Sequence, residues 1–273
     1  MPRYKLTLEY DGTDLIGWQE NATGPSVQSL LQDALFKFCG ERVDVVSAGR
    51  TDAGVHAIAM AASFELTAEQ NPETMMRALN FYLGQMGAPV AVLSCESAAD
   101  DFHARFSCKR RHYRYIILNR RAPVILDRNR VWWIPRPLDV AAMRAAAAKL
   151  VGHHDWTSFR SSECQAKSPL KTLDKIEIYE EDCRGVLHTP RACAARPYTN
   201  RECFDFLTYS RYIILNFSAR SFLHHQVRNM VGTLVEIGLG KPLDIDAIFA
   251  AKSRSAAGPT APAGGLYFVG AEY

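Results

Sequence analysis

The hydrophobic and polar positions of the first half of the chain switch between the period of a strand and the period of a helix. Every second residue from Arg3 to Tyr10 is apolar, which predicts a strand with one buried face. A helix follows, with Ser26 as its cap and Gly40 as its stop, and its apolar positions form one stripe: Val27, Leu30, Leu31, Ala34, Leu35 and Phe38. The remaining predicted elements are strands over Val43–Ser47, Ile58–Leu66 and Pro89–Cys95, and a helix that opens at Asn71 and Pro72 and buries Leu79 and Leu83.

The second half repeats this order of elements. Its predicted strands are His112–Leu118, Asp174–Tyr179, a β-rich run over Phe204–Phe217, and Leu266–Tyr273. Its predicted helices are one from the cap Asp139 to the stop Gly152, one over Ser221–Ile237, and a short one near Asp244. Both halves therefore follow the ferredoxin-like pattern βαββαβ, although no sequence identity links them.

Two such units predict an α+β fold in two parts. The expected N-terminal unit spans residues 1–107, and the C-terminal unit spans residues 108–273 with an insertion near 182–202. Placed side by side, the units would join into one broad, mostly antiparallel sheet with helices on one face, leaving the other face free to form a cleft. The insertion lacks periodicity, and loops of this length are usually functional or disordered.

Composition narrows the class of protein. The chain has 273 residues, 48% hydrophobic and 22% charged, which fits a globular protein and excludes disordered and fibrous classes. No apolar run reaches the ~18 residues of a membrane span, and the first ten residues lack the apolar block of a signal peptide, so a cytoplasmic protein is expected. The seven cysteines form no C-x-x-C pair and are expected as reduced thiols.

One group of soft ligands lies in the insertion: Cys183, His188, Cys193 and Cys203. Four such side chains can hold zinc, but their spacing matches no common zinc motif. The spacing therefore disfavours a metal site, and whether this group binds an ion stays open.

Charge is distributed unevenly along the chain. The net charge of +3 is too small to indicate nucleic acid by itself. Between Phe102 and Leu126, however, there are seven basic residues and no acidic one: Arg105, Lys109, Arg110, Arg111, Arg114, Arg120 and Arg121. This stripe fits a site for a polyanion, and equally a solvated strand edge.

The first candidate for chemistry is the turn from Gly49 to Ala57 between two predicted strands. Arg50 and Asp52 can face the same space there, so the carboxylate would stay ionised beside the guanidinium. An ionised, positioned carboxylate can act as a nucleophile or as a general base. The alternative is an Asx turn, in which Asp52 binds backbone amides and Arg50 is a surface charge.

Aromatic and basic residues alternate in the second candidate, from Phe102 to Phe106 and on to Arg111–Tyr115. Arginines bind phosphate and aromatic rings stack on bases, so this pattern fits nucleic acid. Tyr113 and Tyr115 share one face of a strand, and Tyr115 is expected in the core.

A third candidate is the segment Phe222–Asn229, where His224 and Arg228 lie four apart on one helix face. The alternative is a capped helix with solvated charges. Asp155–Arg160 is interpreted as a polar loop. The chain lacks the P-loop, dinucleotide-binding, serine-hydrolase and zincin motifs, which disfavours those activities.

Taken together, these motifs resemble the TruA-type tRNA pseudouridine synthases along nearly the whole chain. The matching segments are Leu8–Gly12, Gly17–Gln19, Ser26–Gln28, Gly49–Ala57, Asp101–Phe106, Tyr113–Tyr115, Asp155–Arg160, His224 and His225, Val227–Asn229 and Gly265–Tyr267. The resemblance implies isomerisation of uridine to pseudouridine at positions 38, 39 and 40 of the tRNA anticodon arm. It also implies a homodimer that needs neither cofactor nor metal.

The resemblance assigns roles to particular residues. Asp52 matches the catalytic aspartate, Arg50 matches the arginine that flips the target base and pairs with that aspartate, and Tyr113 matches the tyrosine that stacks on the uracil. The expected RNA contacts are Phe102, His103, Ala104, Arg105, Phe106, Arg120, Trp133, Glu163, Cys164, Gln165, Ala166, Lys167, His224 and Arg228.

Two features depart from the family pattern. Ile58, Ala59 and Met60 stand where the family usually has a small residue, Gly and Gln, and the insertion at 182–202 is atypical of the bacterial family. Two other functions stay open at this point: a non-catalytic RNA-binding protein on the same fold, and a metal-dependent nuclease that uses Asp11, Asp14 and Asp52.

Overall fold

The computed structural model describes residues 1–181 and 211–273. Within these ranges the strands are β1 (Arg3–Tyr10), β2 (Val46–Ser47), β3 (His56–Glu65), β4 (Val90–Ala98), β5 (Arg110–Asn119), β6 (Trp132–Ile134), β7 (Gly152–Asp155), β8 (Leu170–Leu173), β9 (Lys175–Glu181), β10 (Arg211–Ala219) and β11 (Leu266–Glu272). The α-helices are α1 (Val27–Cys39), α2 (Pro72–Gln85), α3 (Val140–Leu150), α4 (Gln226–Gly238) and α5 (Ile245–Ala251).

One large sheet contains most of the strands, in the order β4-β1-β3-β11-β5-β10-β9. Strand β2 pairs with β3 and β6 pairs with β5, while β7 and β8 form a separate two-stranded sheet. Each half thus has the strand order of a ferredoxin-like unit, which confirms the predicted α+β architecture. The two halves meet where β3 and β11 run parallel, with His56 opposite Tyr267 and Ala57 opposite Phe268. The division into units 1–107 and 108–273 stays a prediction.

The main core lies between the sheet and the helices. Alternate residues of β1 point to this face together with Leu31 and Leu35 of α1, and all of them are fully buried. In the second half, Phe217 of β10 lies opposite Tyr113 of β5, and both belong to the same core as α4. A smaller apolar cluster of Ile116, Leu118, Val131 and Tyr267 covers the opposite face. The two faces follow directly from the alternation of side chains along each strand.

Local sequence signals explain where the first helix starts and ends. The Ser26 side chain accepts a hydrogen bond from the Ser29 backbone N–H, and the Ser29 hydroxyl accepts one from the Ser26 backbone N–H, forming a capping box. Gly40 ends the helix with a left-handed φ of 75°, a conformation that glycine adopts without steric cost. The predicted helix over this stripe is confirmed.

Two local predictions are wrong. Helix α4 begins at Gln226 rather than at Ser221, because the Gln226 side chain closes the preceding turn by accepting from the Leu223 N–H at 2.8 Å. The segment interpreted as a polar loop contains a 3-10 helix over Trp156–Phe159, whose two aromatic residues are fully buried. Aromatic packing determines the structure of that segment, although its sequence is largely polar.

Some predictions fall on residues that the structure does not describe. The insertion near 182–202 and the group Cys183, His188, Cys193 and Cys203 lie outside the described residues, as does the start of the predicted strand at Phe204. Among the residues that are described, no helix has both the length and the apolar character required to cross a bilayer.

Candidate active site

The loop that carries Asp52 is held in place by backbone contacts with the segment preceding α1. Trp18 N–H donates to the Thr51 carbonyl at 3.0 Å, and Gly54 N–H donates to the Leu15 carbonyl at 3.3 Å. Gly17 faces Asp52 in an isolated bridge, with a φ of 103°. A Cβ at position 17 would lie 2.5 Å from the Thr51 carbonyl oxygen, so only glycine permits this close approach. The loop is therefore a fixed part of the fold.

Three cationic or potentially cationic side chains surround the Asp52 carboxylate. Arg228 Nη1 donates to Oδ2 at 3.1 Å, and its Nε donates to the Ala261 carbonyl at 2.8 Å. His224 Nε2 lies 3.4 Å from Oδ1, and His225 Nε2 lies 3.4 Å from Oδ2. The Asp52 side chain is 22% exposed, so it is sheltered yet reachable from solvent. The carboxylate therefore lies against one guanidinium and two imidazole rings.

His225 holds an unusual backbone conformation at this point. It is the N-cap of α4, with a φ of 61°, and its side chain makes no capping hydrogen bond. For a residue with a Cβ, a left-handed conformation costs roughly 1–2 kcal/mol. Burial lowers the pKa of the His225 imidazole below its ordinary value of 6.5, against the opposing influence of the Asp52 carboxylate, so the ring is neutral at pH 7.

Tyr113 forms the aromatic side of the site. Its ring makes edge contacts with Phe222 and Phe268 at centroid distances of 5.1 and 5.2 Å, and it is 8% exposed. A Cβ at Gly49 would lie 3.4 Å from the Tyr113 hydroxyl, which places this ring beside the Asp52 loop. Burial raises the pKa of Tyr113 well above its ordinary value, so the phenol is neutral at physiological pH. Tyr115 is fully buried, as predicted.

Arg50 occupies a different position from the one expected. It is exposed, and among the described residues it makes no hydrogen bond or ion pair, with Asp52 or with any other side chain. The expected pairing of Arg50 with Asp52 is replaced by the Arg228 contact, because Arg228 projects from the first turn of α4 toward the carboxylate. The alternative of an Asx turn is also incomplete, because both carboxylate oxygens of Asp52 face side chains. The Arg50 guanidinium remains available to a ligand.

One residue, Arg111, connects the segment Phe102–Phe106 with the loop that carries Asp52. Arg111 Nη2 donates to the Arg105 carbonyl at 2.7 Å, and its Nε donates to the Ala48 carbonyl just before the Asp52 loop. Ala104 is fully buried, whereas Phe106 is 76% exposed with the His103 ring 4.3 Å from its own. The exposed ring beside a basic residue is the arrangement expected of a nucleic-acid contact.

The other expected RNA contacts fall into two groups. The segment that contains Glu163, Cys164, Gln165, Ala166 and Lys167 adjoins the site, because Ser161 N–H donates to the His224 carbonyl at 3.0 Å. Arg120 and Trp133 lie at the far end of β5, roughly 20 Å along the strand from Tyr113. The structure thus brings the first group to Asp52 and leaves the second group apart.

The Asp52 cluster lies where the N-terminal ends of two helices come close to the loop. The segment preceding α1 contacts the loop through Trp18 N–H, which donates to the Thr51 carbonyl, and Arg228 in the first turn of α4 donates to the carboxylate. That the RNA-binding cleft lies on the face of the sheet opposite the helices stays a prediction.

The arrangement required of a metal-dependent nuclease is not formed. Asp11 pairs with Arg130 at 3.1 Å, and His56 Nδ1, which accepts from Gly12 N–H, lies 3.1 Å from its carboxylate. In the described ranges, the only group of metal-ligand side chains is Asp52 with His224 and His225, whose atoms lie within 4.8 Å of one another. Because the Arg228 guanidinium already occupies Asp52 Oδ2, we interpret this group as a carboxylate paired with one guanidinium and flanked by two histidines.

Known proteins that this chain resembles belong to one family. A family model described as tRNA pseudouridine synthase matches residues 7–107 and 146–273. A protein named tRNA pseudouridine synthase A from Rhodospirillum centenum is 50% identical over the full length of both chains. Proteins of the same name from Rhizobium meliloti and Bartonella quintana are 44% and 43% identical, again over the full length of both chains. This chain, with Asp52 set between two histidines and an arginine, belongs to the tRNA pseudouridine synthase family, whose members are isomerases of uridine in tRNA.

Proposed function

We propose that this protein converts uridine to pseudouridine at positions 38, 39 and 40 of the tRNA anticodon arm, with Asp52 as the catalytic residue. The observation that carries the proposal is the carboxylate of Asp52, sheltered and paired with Arg228, beside the ring of Tyr113. A protein that only binds RNA gains nothing from a carboxylate in its binding site, because the negative charge repels the phosphates of RNA. The proposal places the enzyme in the cytoplasm, where tRNA is available.

The residues around Asp52 fit the demands of the reaction. The target uridine lies within a helical stem, so it must leave the stack at a cost of a few kcal/mol. Arg50 is exposed and has no protein partner among the described residues, so it can occupy the gap that the base leaves. Tyr113 stays neutral and offers an aromatic surface on which the flipped uracil can stack.

Asp52 then acts at the sugar. Breaking the C1′–N1 bond builds positive charge on the ribose, and a nearby carboxylate stabilises that charge, adds to C1′ or takes a proton from C2′. The freed uracil turns and its C5 attacks C1′, which breaks the bond to the carboxylate where an adduct has formed, or is accompanied by return of the proton to C2′ where one was taken. The C5 proton then leaves to water and N1 takes up a proton, which completes the isomerisation. No electron is transferred, so the reaction needs neither a redox cofactor nor a nucleoside triphosphate.

The tRNA-binding surface in this proposal extends from the site along the segment Phe102–Phe106 and the segment Glu163–Lys167. The exposed Phe106 ring and the Arg105 guanidinium, whose carbon is 5.8 Å from the centre of that ring, are available to a base and to phosphate. We further propose that two copies of the chain form a homodimer across which one tRNA lies.

The sites of modification are tested with tRNA transcripts that carry a single 5-tritiated uridine at position 38, 39 or 40. We expect tritium release from each of the three transcripts, and none from a transcript with cytidine at all three positions and labelled uridine elsewhere. Release from the control alone would refute the assignment to the anticodon arm. Sedimentation velocity of the full chain, with and without tRNA, tests the homodimer.

A further inference from the structure

We propose that His225 is a positioning residue for Asp52, whose neutral ring fixes the direction of the carboxylate and whose protonation stops the reaction at acid pH. The inference rests on the proposed function, because it concerns the same reaction. The inference gives a role to His225, which belongs to a sequence motif but whose spacing in the sequence does not connect it with Asp52.

The first support is the use of the His225 side chain. An N-cap residue normally accepts a hydrogen bond from the first helical turn, which is why Ser, Thr, Asp and Asn are preferred there. His225 makes no such bond, and its Nε2 instead lies 3.4 Å from Asp52 Oδ2. The start of α4 therefore lacks a side-chain cap, and the His225 ring lies near the Asp52 carboxylate instead of capping the helix.

The second support is the backbone that holds this ring. Asn229 N–H donates to the His225 carbonyl at 2.9 Å, and Gln226 N–H donates to the Leu223 carbonyl at 3.0 Å. The segment containing Glu163 is joined to the same turn through Ser161 and His224. Left-handed residues persist where their surroundings determine the conformation, and such residues cluster at functional sites.

The third support is the charge around the ring. The groups that face His225 are Asp52 on its loop, Arg228 on α4, the neighbouring His224, and Glu163 on the segment after the 3-10 helix. When His225 is neutral, the positive charge of Arg228 balances the negative charge of Asp52. A second cation on Oδ2 would bind the carboxylate lone pairs more strongly and weaken its action at C1′. His225 is assigned this role rather than His224 because it shares Oδ2 with Arg228 and is the less exposed of the two, 26% against 36%.

The direction of the pH effect follows from these contacts. Since burial lowers the pKa of His225 below its ordinary value of 6.5, the ring is neutral at pH 7 and takes up a proton only in a more acid range than a free imidazole does. Wild-type kcat is therefore expected to fall through this acid range, while KM for tRNA changes less because Asp52 is not a phosphate contact.

The test compares wild type with His225→Asn and His225→Ala, and with His153→Asn as the matched control. Asparagine adopts the left-handed conformation readily and cannot take up a proton in this range, so it preserves the backbone while removing the titration. His153 is exposed on β7, where it contacts Thr172 rather than the site. Tritium release from 5-tritiated tRNA gives kcat and KM between about pH 5 and 8, and thermal melting with tRNA binding reports folding.

We expect His225→Asn to lose the acid decline in kcat and His225→Ala to lose roughly tenfold in kcat near pH 7.5, with KM within about twofold of wild type. The His153→Asn profile should match wild type. An acid decline in His225→Asn equal to that of wild type would overturn the inference, and this variant decides the matter if His225→Ala fails to fold. If wild type releases no tritium from tRNA, the proposed function fails instead.

Discussion

Replacing Arg228 with methionine tests how far the activity depends on the ion pair at Asp52. The substitution keeps an unbranched apolar stem and removes two hydrogen bonds, one from Nη1 to Asp52 at 3.1 Å and one from Nε to the Ala261 carbonyl at 2.8 Å. Both partners of the ion pair are sheltered, with side chains 15% and 22% exposed. Asp52 would keep only the two histidines as neighbours of its carboxylate.

The size of the effect follows from these distances. Two unit charges at this separation attract by roughly 5 kcal/mol at an effective dielectric constant near 20. Solvent reaches part of the carboxylate and the histidines remain, so the expected loss in free energy of unfolding is about 2–3 kcal/mol, just below the range for breaking a fully buried pair. A misplaced carboxylate should also reduce kcat by about 100-fold.

Arg144→Met is the matched control. Arg144 also lies on a helix, donates its Nε to a carbonyl at 3.0 Å and pairs with Glu180 at 3.3 Å, but it is 48% exposed and belongs to α3. We expect it to lose less than about 1 kcal/mol and to keep wild-type kinetics. Chemical denaturation and tritium release measure both quantities. An Arg228→Met enzyme with kcat within twofold of wild type would refute the assignment of the ion pair to catalysis.

Three further predictions concern the Asp52 loop and its surroundings. Gly17→Ala should lose at least ~2 kcal/mol of stability and most of the activity, because its Cβ would meet the Thr51 carbonyl. Its control is Gly40→Ala, at a glycine that is also left-handed but has open space around it. This variant should lose about 1 kcal/mol of stability and no activity. Burial alone would raise the pKa of the Asp11 carboxyl, but the hydrogen bonds that it accepts outweigh burial and bring the pKa below its ordinary value of 3.8. The ionised carboxylate therefore stabilises the folded protein above pH 3.8, and this stabilisation is lost as the pH falls further. Asp11→Asn should therefore flatten acid unfolding followed by circular dichroism. Tyr113→Phe should keep tRNA affinity and fold stability, while Tyr113→Ala should lose about 3 kcal/mol of stability, as thermal melting can show.

The periodicity of the chain predicts most of the fold because the strands and helices each bury one face. Periodicity does not predict the seam between the halves. There β3 pairs in parallel with β11, and these two strands are too distant in sequence to produce a local pattern. The start of α4 also escapes prediction, because the Gln226 side chain closes a turn that apolar spacing alone would continue as helix. Long-range pairing and single hydrogen bonds therefore limit what the pattern can show.

The sequence motifs likewise predict some residues of the candidate site and not others. The motifs pick out Asp52 and Tyr113, and the structure places the Tyr113 hydroxyl beside Gly49, at the start of the loop that carries Asp52. Arg228 is singled out as an RNA contact, yet its partner is Asp52, 176 positions away in sequence. His225 stands in the motif without a role, and the only local signal for it is a histidine doublet at a helix start. Which cation meets the carboxylate depends on tertiary packing, which the spacing of motifs does not encode.

The most direct test of Asp52 as the catalytic residue is tritium release from tRNA labelled at uridine C5, comparing wild type with Asp52→Asn. Asparagine has the same shape and loses the charge, and Asp33→Asn on the exposed side of α1 serves as the control. We predict that wild type and Asp33→Asn release tritium, whereas Asp52→Asn binds tRNA with wild-type affinity and releases none. Release by Asp52→Asn at the wild-type rate would contradict the assignment of catalysis to this carboxylate.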